Sequence, residues 1–187
     1  MSASGGGRRV VAARDGQRSI VVVDEPLPRT RFETVPGFEA TVIWRTPANP
    51  SLKWSPPAEN PRATSVLPER GGTTLFFVTF PPDSVMREPG FDPLAAGEEY
   101  AKLLPGLAEL FEREHPGMHT TPTIDYDIVL NGSISVELDD GHMIELKQGD
   151  VLVQHGTRHA WRNRGNEAAT VAFVLIGSSG VIETDSR

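Results

Sequence analysis

Along this chain, short runs of alternating apolar and polar residues are each ended by turn-forming residues. From residue 118 onward the cadence is regular. IVL at 128–130 continues a strand, Asn131-Gly132 turns, and SISVEL places Ile134, Val136 and Leu138 on one face. Asp139-Asp140-Gly141-His142 turns again, MIELK forms the next strand, Gln148-Gly149-Asp150 turns, and VLVQ follows. Gly165-Asn166-Glu167 then leads into a last strand, ATVAFVLIG. Side chains alternate across a strand, so this period of two between glycine-bearing turns predicts antiparallel strands arranged as a double sheet or barrel.

Upstream the pattern is looser. Residues 1–7, MSASGGG, are small and read as a disordered tail. Asp15-Gly16 between two β-branched runs predicts a hairpin with strands at about 8–13 and 18–24, ended by Pro26 and Pro28. These strands would extend the barrel's sheets or pack in a dimer. GFEATVIWRT (37–46) reads as a strand with Val42 and Trp44 on one face and Ile43 and Arg45 on the other. Pro47, Pro50, Pro56, Pro57, Pro61 and Pro68 then make a loop, in which Lys53-Trp54 either faces a substrate or pins the loop to the core. TTLFFVTF (73–80) is a buried strand stopped by Pro81-Pro82. Residues 94–114 place Leu103, Leu107, Leu110 and Phe111 at helical spacing, and Pro105-Gly106 divides the stretch into two short helices. This insert reads as a packed cover, with a moving lid as the other possibility.

Composition narrows the function classes. With 187 residues the chain suits one domain with a real core. Its 18 basic and 25 acidic side chains give a net charge of −7, which disfavours nucleic acid and anionic lipid as partners. No window approaches a spanning helix and the N-terminus carries no apolar secretion segment, so the expected location is cytoplasmic, away from membranes. There are no cysteines, so any metal must be held by nitrogen and oxygen.

Residues 118–163 hold the candidate chemistry. His119, Thr121, Thr123 and Asp125 lie two apart and share a face if the strand is extended; His159, Trp161 and Asn163 do the same. Two His and one carboxylate leave open coordination positions on a metal, as catalysis there requires. Thr121 orients a bound water or a substrate oxygen. Trp161 walls a substrate or fills the barrel. Arg158 and Arg162 have the opposite parity, so they grip a substrate carboxylate or form exposed ion pairs. Asp127 returns to the inward parity as a fallback carboxylate, and His155 is an alternative ligand. Tyr126, His115 and His142 read as structural or surface residues.

This stretch resembles the two motifs of the cupin superfamily. The first motif supplies two His one residue apart, then a Glu and a turn Gly. Here His119 fills the first slot, Thr121 stands at the second His, Asp125 replaces the Glu, and Gly132 closes the turn. In the second motif Gly149, Asp150, Gly156, His159 and Asn163 fall in register, with Gln154 at the usual Pro position after a shorter interval. The resemblance implies an all-β double-stranded β-helix, the cupin jelly roll, with an N-terminal strand extension and a short helical insert. Residues 8–187 would form a single cupin domain, with the extension and Pro-rich loop at 8–72, the barrel core at 73–177 and the insert at about 94–114. The domain is expected to form a homodimer.

The resemblance also implies a metal-dependent enzyme. One divalent transition ion (Zn, Fe, Mn, Ni or Co) would be held by His119, Asp125 and His159, with Asp125 and Thr121 in catalysis. Thr121, Thr123, Trp161, Asn163 and Arg158 would meet a small-molecule substrate. The expected chemistry is Lewis-acid decarboxylation, isomerisation or dehydration of a small organic acid or a polyketide-like or aromatic metabolite. An iron-dependent dioxygenase and a non-catalytic small-molecule-binding cupin are the alternatives.

Overall fold

The computed structural model describes residues 7–56 and 65–179. The strands are β1 (Arg8–Asp15), β2 (Arg18–Pro26), β3 (Glu39–Thr46), β4 (Thr73–Phe80), β5 (Thr123–Asn131), β6 (Ser133–Glu137), β7 (Met143–Lys147), β8 (Val151–His155), β9 (Ala160–Arg162) and β10 (Ala169–Gly177). One α-helix, α1 (Pro93–Leu103), lies between β4 and β5. A five-stranded antiparallel sheet runs β3-β4-β10-β5-β8, and a three-stranded one runs β7-β6-β9. The last strand thus inserts between β4 and β5, where Phe173 lies opposite Phe76 on one side and Asp127 on the other.

The inner faces of the two sheets share one core. Phe76, Val78, Val129, Val171, Phe173 and Leu175 of the larger sheet bury against a cluster that includes Ile134 and Leu146 of the smaller. This is the antiparallel double sheet that the alternation predicts and the all-β jelly roll that the cupin resemblance implies. Along β5 the pattern is strict: Thr123, Asp125, Asp127 and Val129 are buried, while the residues between them are partly or largely exposed. An edge-on packing of Phe32, Phe38 and Tyr100 ties the segment before β3 to α1. Glu99 on α1 fastens the same place by accepting the backbone N–H groups of Glu33 (2.8 Å) and Thr34 (2.9 Å).

The helical insert follows from local chemistry. Asp92 caps α1 by accepting from the N–H groups of Leu94 and Ala95, with Pro93 at the first helical position. Pro105-Gly106 ends the helical run, with Gly106 at φ 84°, and only a short helical turn at Ala108–Leu110 follows. Trp54 stacks on Trp44 at 6.4 Å, so within the described part of the Pro-rich loop this tryptophan pins the loop to β3. The rest of that loop, 57–64, the tail at 1–6 and residues 180–187 lie outside the described residues.

One expectation is corrected, and one strand shows an irregularity. The β1-β2 hairpin extends neither barrel sheet; it is a ribbon of its own, and Arg9 joins it to β3 by donating to the Ile43 carbonyl (2.8 Å) and lying over the Trp44 ring. In β3 the pairing with β4 shifts register between Val42 and Trp44. Across this irregularity Ile43 is buried while Val42 and Trp44 are half-buried, so the alternation of faces read from the sequence is kept.

The end of β10 is closed by backbone. Gly177 exchanges hydrogen bonds with Gly71 and Gly72, and a Cβ on Gly177 would lie 2.0 Å from the Glu69 carbonyl oxygen. A rigid backbone atom cannot yield as a side chain does, so Gly177→Ala is expected to destabilise the domain by about 1–3 kcal/mol. Gly97, inside α1 with open space around it, is the opposite case. There Gly97→Ala should stabilise by about 0.5–1 kcal/mol. Urea unfolding followed by circular dichroism would show the two midpoints moving in opposite directions.

Candidate functional site

The site lies where the chain passes from one sheet to the other. His119 precedes β5 of the larger sheet and His159 precedes β9 of the smaller, and the two residues form an isolated antiparallel bridge. Each backbone N–H donates to the other's carbonyl at 2.9 Å. Directly opposed residues of such a pair point their side chains to the same face, and the two imidazoles stand with ring centroids 4.4 Å apart. Both histidines are buried.

The tautomers follow from the partners. His119 Nδ1 lies 3.0 Å from the Gly117 carbonyl, and His159 Nδ1 lies 2.9 Å from the Thr157 carbonyl. A carbonyl oxygen only accepts, so each Nδ1 carries the hydrogen and each neutral ring keeps its lone pair on Nε2. The rings stay neutral because burial lowers both basicities; for His159 the neighbouring His119 adds to this, and its pKa falls to about 3. Gly117 supplies its carbonyl from a left-handed turn at φ 85°, where a Cβ would also press on the Arg162 guanidinium.

A buried polar network continues along the inner face. The Thr123 hydroxyl donates to Thr121 Oγ1 (2.8 Å), and Thr121 in turn approaches Asp125 Oδ2 at 3.5 Å, a weak contact. Gln154 on β8 donates from Nε2 to Asp127 Oδ2 (2.8 Å) and accepts from the Thr157 hydroxyl at Oε1 (2.8 Å). The same Nε2 stands 3.3 Å from His159 Nε2. Asp125 Oδ1 and Asp127 Oδ1 are buried with no partner. Burial raises the Asp125 pKa to about 6, against weaker opposing hydrogen bonds from Thr123 and Thr121. Burial, followed by the charge of Asp125, raises Asp127 to about 8.

The sequence-predicted residues are thereby sorted. His119 and His159 come together. Asp125 does not join them: among the described residues no group of three or more His, Asp or Glu side chains is placed to hold a metal ion. Between the histidine and the acid the chain bends at Pro122, before β5 begins at Thr123. Burial parity survives the bend, so 119, 121, 123 and 125 are all buried, but the strand does not carry Asp125 alongside the histidines. The donor chemistry of the pair still suits a divalent transition ion, since both Nε2 lone pairs belong to neutral rings oriented from behind by carbonyls.

The remaining candidates divide between inside and outside. Trp161 packs on Phe173, Phe80 and His159 as part of the inner wall. Asn163 is buried, but its amide donates to the carbonyls of Phe80 and Glu167 and accepts from Gly165 N–H, which commits it to the turn before β10. Arg158 pairs with Glu112 through two hydrogen bonds and with Asp139 through a third, and Arg162 pairs with Glu137. His115, His142, His155 and Tyr126 are exposed. Phe111 meets the His119 ring edge-on at 4.9 Å, so the segment after α1 covers the pair and the Glu112–Arg158 ion pair fastens it there. Sequence reasoning missed Gln154 as a site residue. Its signal was a polar side chain at an inward position of β8, directly opposite Asp125.

Comparison with known proteins agrees with this architecture. The family model described as Cupin domain matches residues 106–176, which include both histidines, the acid pair and Gln154. Phomopsin biosynthesis cluster protein C' of Diaporthe leptostromiformis is 55% identical over 71 residues, 37% of this chain and 37% of that protein. The cupin-domain-containing oxidoreductase srdD of Neurospora crassa is 36% identical over 69 residues, 35% of each. The matched region thus spans little more than a third of these curated relatives. Among solved structures, the Schizosaccharomyces pombe Cnp3 cupin domain is similar at 10% identity over 92% of this chain and 88% of that one, with a TM-score of 0.45. Residues 106–176 of the chain thus match a cupin domain.

Proposed function

We propose that this protein is an enzyme of small-molecule biosynthesis in which His119 and His159 hold one divalent transition ion and Asp125 moves a proton. Its substrate would be a small organic acid or a polyketide-like or aromatic metabolite. The observation that carries this reading is the pair of opposed neutral imidazoles, each with its lone pair on Nε2, on a face that also buries two carboxyl groups with unpartnered oxygens. When bound, the ion would supply Lewis-acid polarisation of a substrate carbonyl or carboxylate oxygen. Decarboxylation, isomerisation and dehydration each need that and one mobile proton.

The chain's own groups match the remaining tasks. Asp125, with a pKa near 6, is largely ionised at neutral pH yet close enough to exchange a proton. The Thr123–Thr121 hydroxyl chain is directed at its Oδ2, and Oδ1 is left to meet a substrate. Phe111, seated on His119 and held by the Glu112–Arg158 pair, keeps water from the imidazoles, so a substrate enters when this segment moves. The relatives named as oxidoreductases favour a second reading, an iron-dependent dioxygenase. Oxygen uptake by the ferrous-loaded protein with substrate would select it over the first.

Support for a homodimer comes from the outer face of β5 and β8, where Tyr126, Leu130, Val151 and Val153 are exposed. Val153→Lys should convert a dimer to monomers in sedimentation velocity; a monomeric wild type would refute the dimer.

The metal reading is checked by elemental analysis of protein purified without chelator. Close to one equivalent of a transition metal is expected in the wild type, and a loss of it in both His119→Ala and His159→Ala. A folded wild type that neither carries nor takes up metal would leave the barrel a ligand-binding module.

Proton binding predicts a stability profile. Asp127, lifted from 3.8 to about 8, holds its proton in the folded state after the unfolded chain has released it. Its contribution is complete below the unfolded value and is lost as pH rises through about 8. Asp125 completes the same change near pH 6, and the depressed pKa of His159 acts on the acid side. Between pH 6.5 and 8, Asp127 therefore dominates. Metal-free protein should lose up to roughly 3–5 °C of melting temperature per pH unit there. Thermal melts of Asp127→Asn should be nearly flat over the same interval.

A further inference from the structure

Among the described residues the histidine pair lacks a third protein donor of the carboxylate or imidazole kind, yet an oxygen-bearing side chain stands against it. Gln154 is 3% exposed, and its terminal amide nitrogen lies 3.3 Å from His159 Nε2. We propose that Gln154 is the third protein ligand of the metal site, binding through Oε1 after its amide turns over. The inference rests on the metal-binding reading above and assigns to the site a residue outside the predicted triad.

The separation is the first argument. Metal bonds from nitrogen and oxygen donors are about 2.0–2.2 Å long, which puts neighbouring donors roughly 3.0 Å apart in an octahedral shell and roughly 3.4 Å apart in a tetrahedral one. The 3.3 Å between the His159 nitrogen and the amide terminus falls within that interval. As a neutral N–H···N hydrogen bond the same distance is long. The amide terminus is thus spaced as an adjacent ligand is spaced.

Hydrogen bonding supplies the second argument. A half-turn about the last side-chain bond exchanges Oε1 and Nε2 with almost no change of shape. In the present orientation the N–H caps the His159 lone pair, which suits an ion-free pair. In the reverse orientation Oε1 would face that lone pair, and two lone pairs repel unless a cation lies between them. The other partners accept the exchange. The Thr157 hydroxyl, 2.8 Å from the amide, takes either role. Asp127 Oδ2 lies 2.8 Å away, and as the neutral acid it would donate to the second lone pair of Oε1. Both orientations leave the amide satisfied, and the ion decides between them.

The test titrates the metal-free protein with Co(II), reading affinity by calorimetry and ligand geometry by visible absorption. Gln154→Leu should bind Co(II) at least about tenfold more weakly with an altered spectrum, as loss of a direct donor should cost no less than loss of an outer partner. Gln154→Glu, which places a charged oxygen in the same volume, should bind more tightly than wild type. If Gln154→Leu binds as tightly as wild type or better, with the spectrum unchanged, the amide only caps His159 and the inference is overturned while the metal reading stands. If the folded wild type takes up no Co(II), both fall together. Should Gln154→Leu fail to fold by circular dichroism, the Glu variant alone decides, and an affinity no higher than wild type overturns the proposal.

Discussion

The backbone bridge between His119 and His159 is the constraint on which the site depends. Two reciprocal hydrogen bonds join the strand that enters the five-stranded sheet to the strand that enters the three-stranded one. The residues that close this seam are also the residues that carry the imidazoles. Their side-chain separation is therefore set by sheet geometry rather than by loop conformation, and each ring is fixed from behind by the carbonyl two residues upstream. A site built this way is rigid before any ligand arrives, which lowers the ordering cost of binding.

The polar interior opposes the fold that contains it. Asp125, Asp127, Thr121, Thr123 and Gln154 occupy inward positions that apolar residues would fill at lower cost, and two carboxyl oxygens there have no partner. The barrel keeps them by holding a proton on Asp127 and withholding protons from the histidines. Carboxyl basicity rises and imidazole basicity falls because burial disfavours the charged form of both. Titratable groups displaced in this manner, on one face and in one network, support the proposed functional site. The apolar remainder of the core, from Phe76 to Leu175, bears the stabilising load.

Much of the fold was legible in the sequence because period-two alternation and glycine-bearing turns are local signals. The strands from Thr123 to Gly177, the break at Pro105-Gly106 and the hairpin at Asp15-Gly16 all follow from neighbouring residues. Less legible was anything set by chain direction. Parity alone foresaw the burial of His119, Thr121, Thr123 and Asp125, but it assumed a continuous strand, and Pro122 bends the chain between the histidine and the acid. In β3 the register shift between Val42 and Trp44 was not foreseen, because it is set by the pairing with β4. Asn163 has the inward parity of His159, yet its hydrogen bonds go to the turn before β10, a commitment that depends on where Phe80 and Glu167 end up.

Thr121 and Gln154 gain meaning when taken together. At Thr121 the chain lacks the second imidazole that the cupin resemblance leads one to expect, and the hydroxyl there turns toward Asp125 instead. At Gln154, where the resemblance places a proline, a buried amide reaches the face of His159 from the neighbouring strand. Proline carries no side-chain donor or acceptor, so it would leave both the His159 lone pair and Asp127 Oδ2 without this partner. One strand loses a nitrogen donor and the strand beside it gains an oxygen donor. Two imidazoles and an amide form a neutral donor set, harder than three imidazoles, and such a set leaves a bound dication its full charge to act on an anionic substrate. A carboxylate ligand would have partly cancelled that charge. In the proposed function, Asp125 apart from the pair would be left for proton transfer and the field of a bound metal would be undiminished, a division of labour suited to chemistry on a small organic acid.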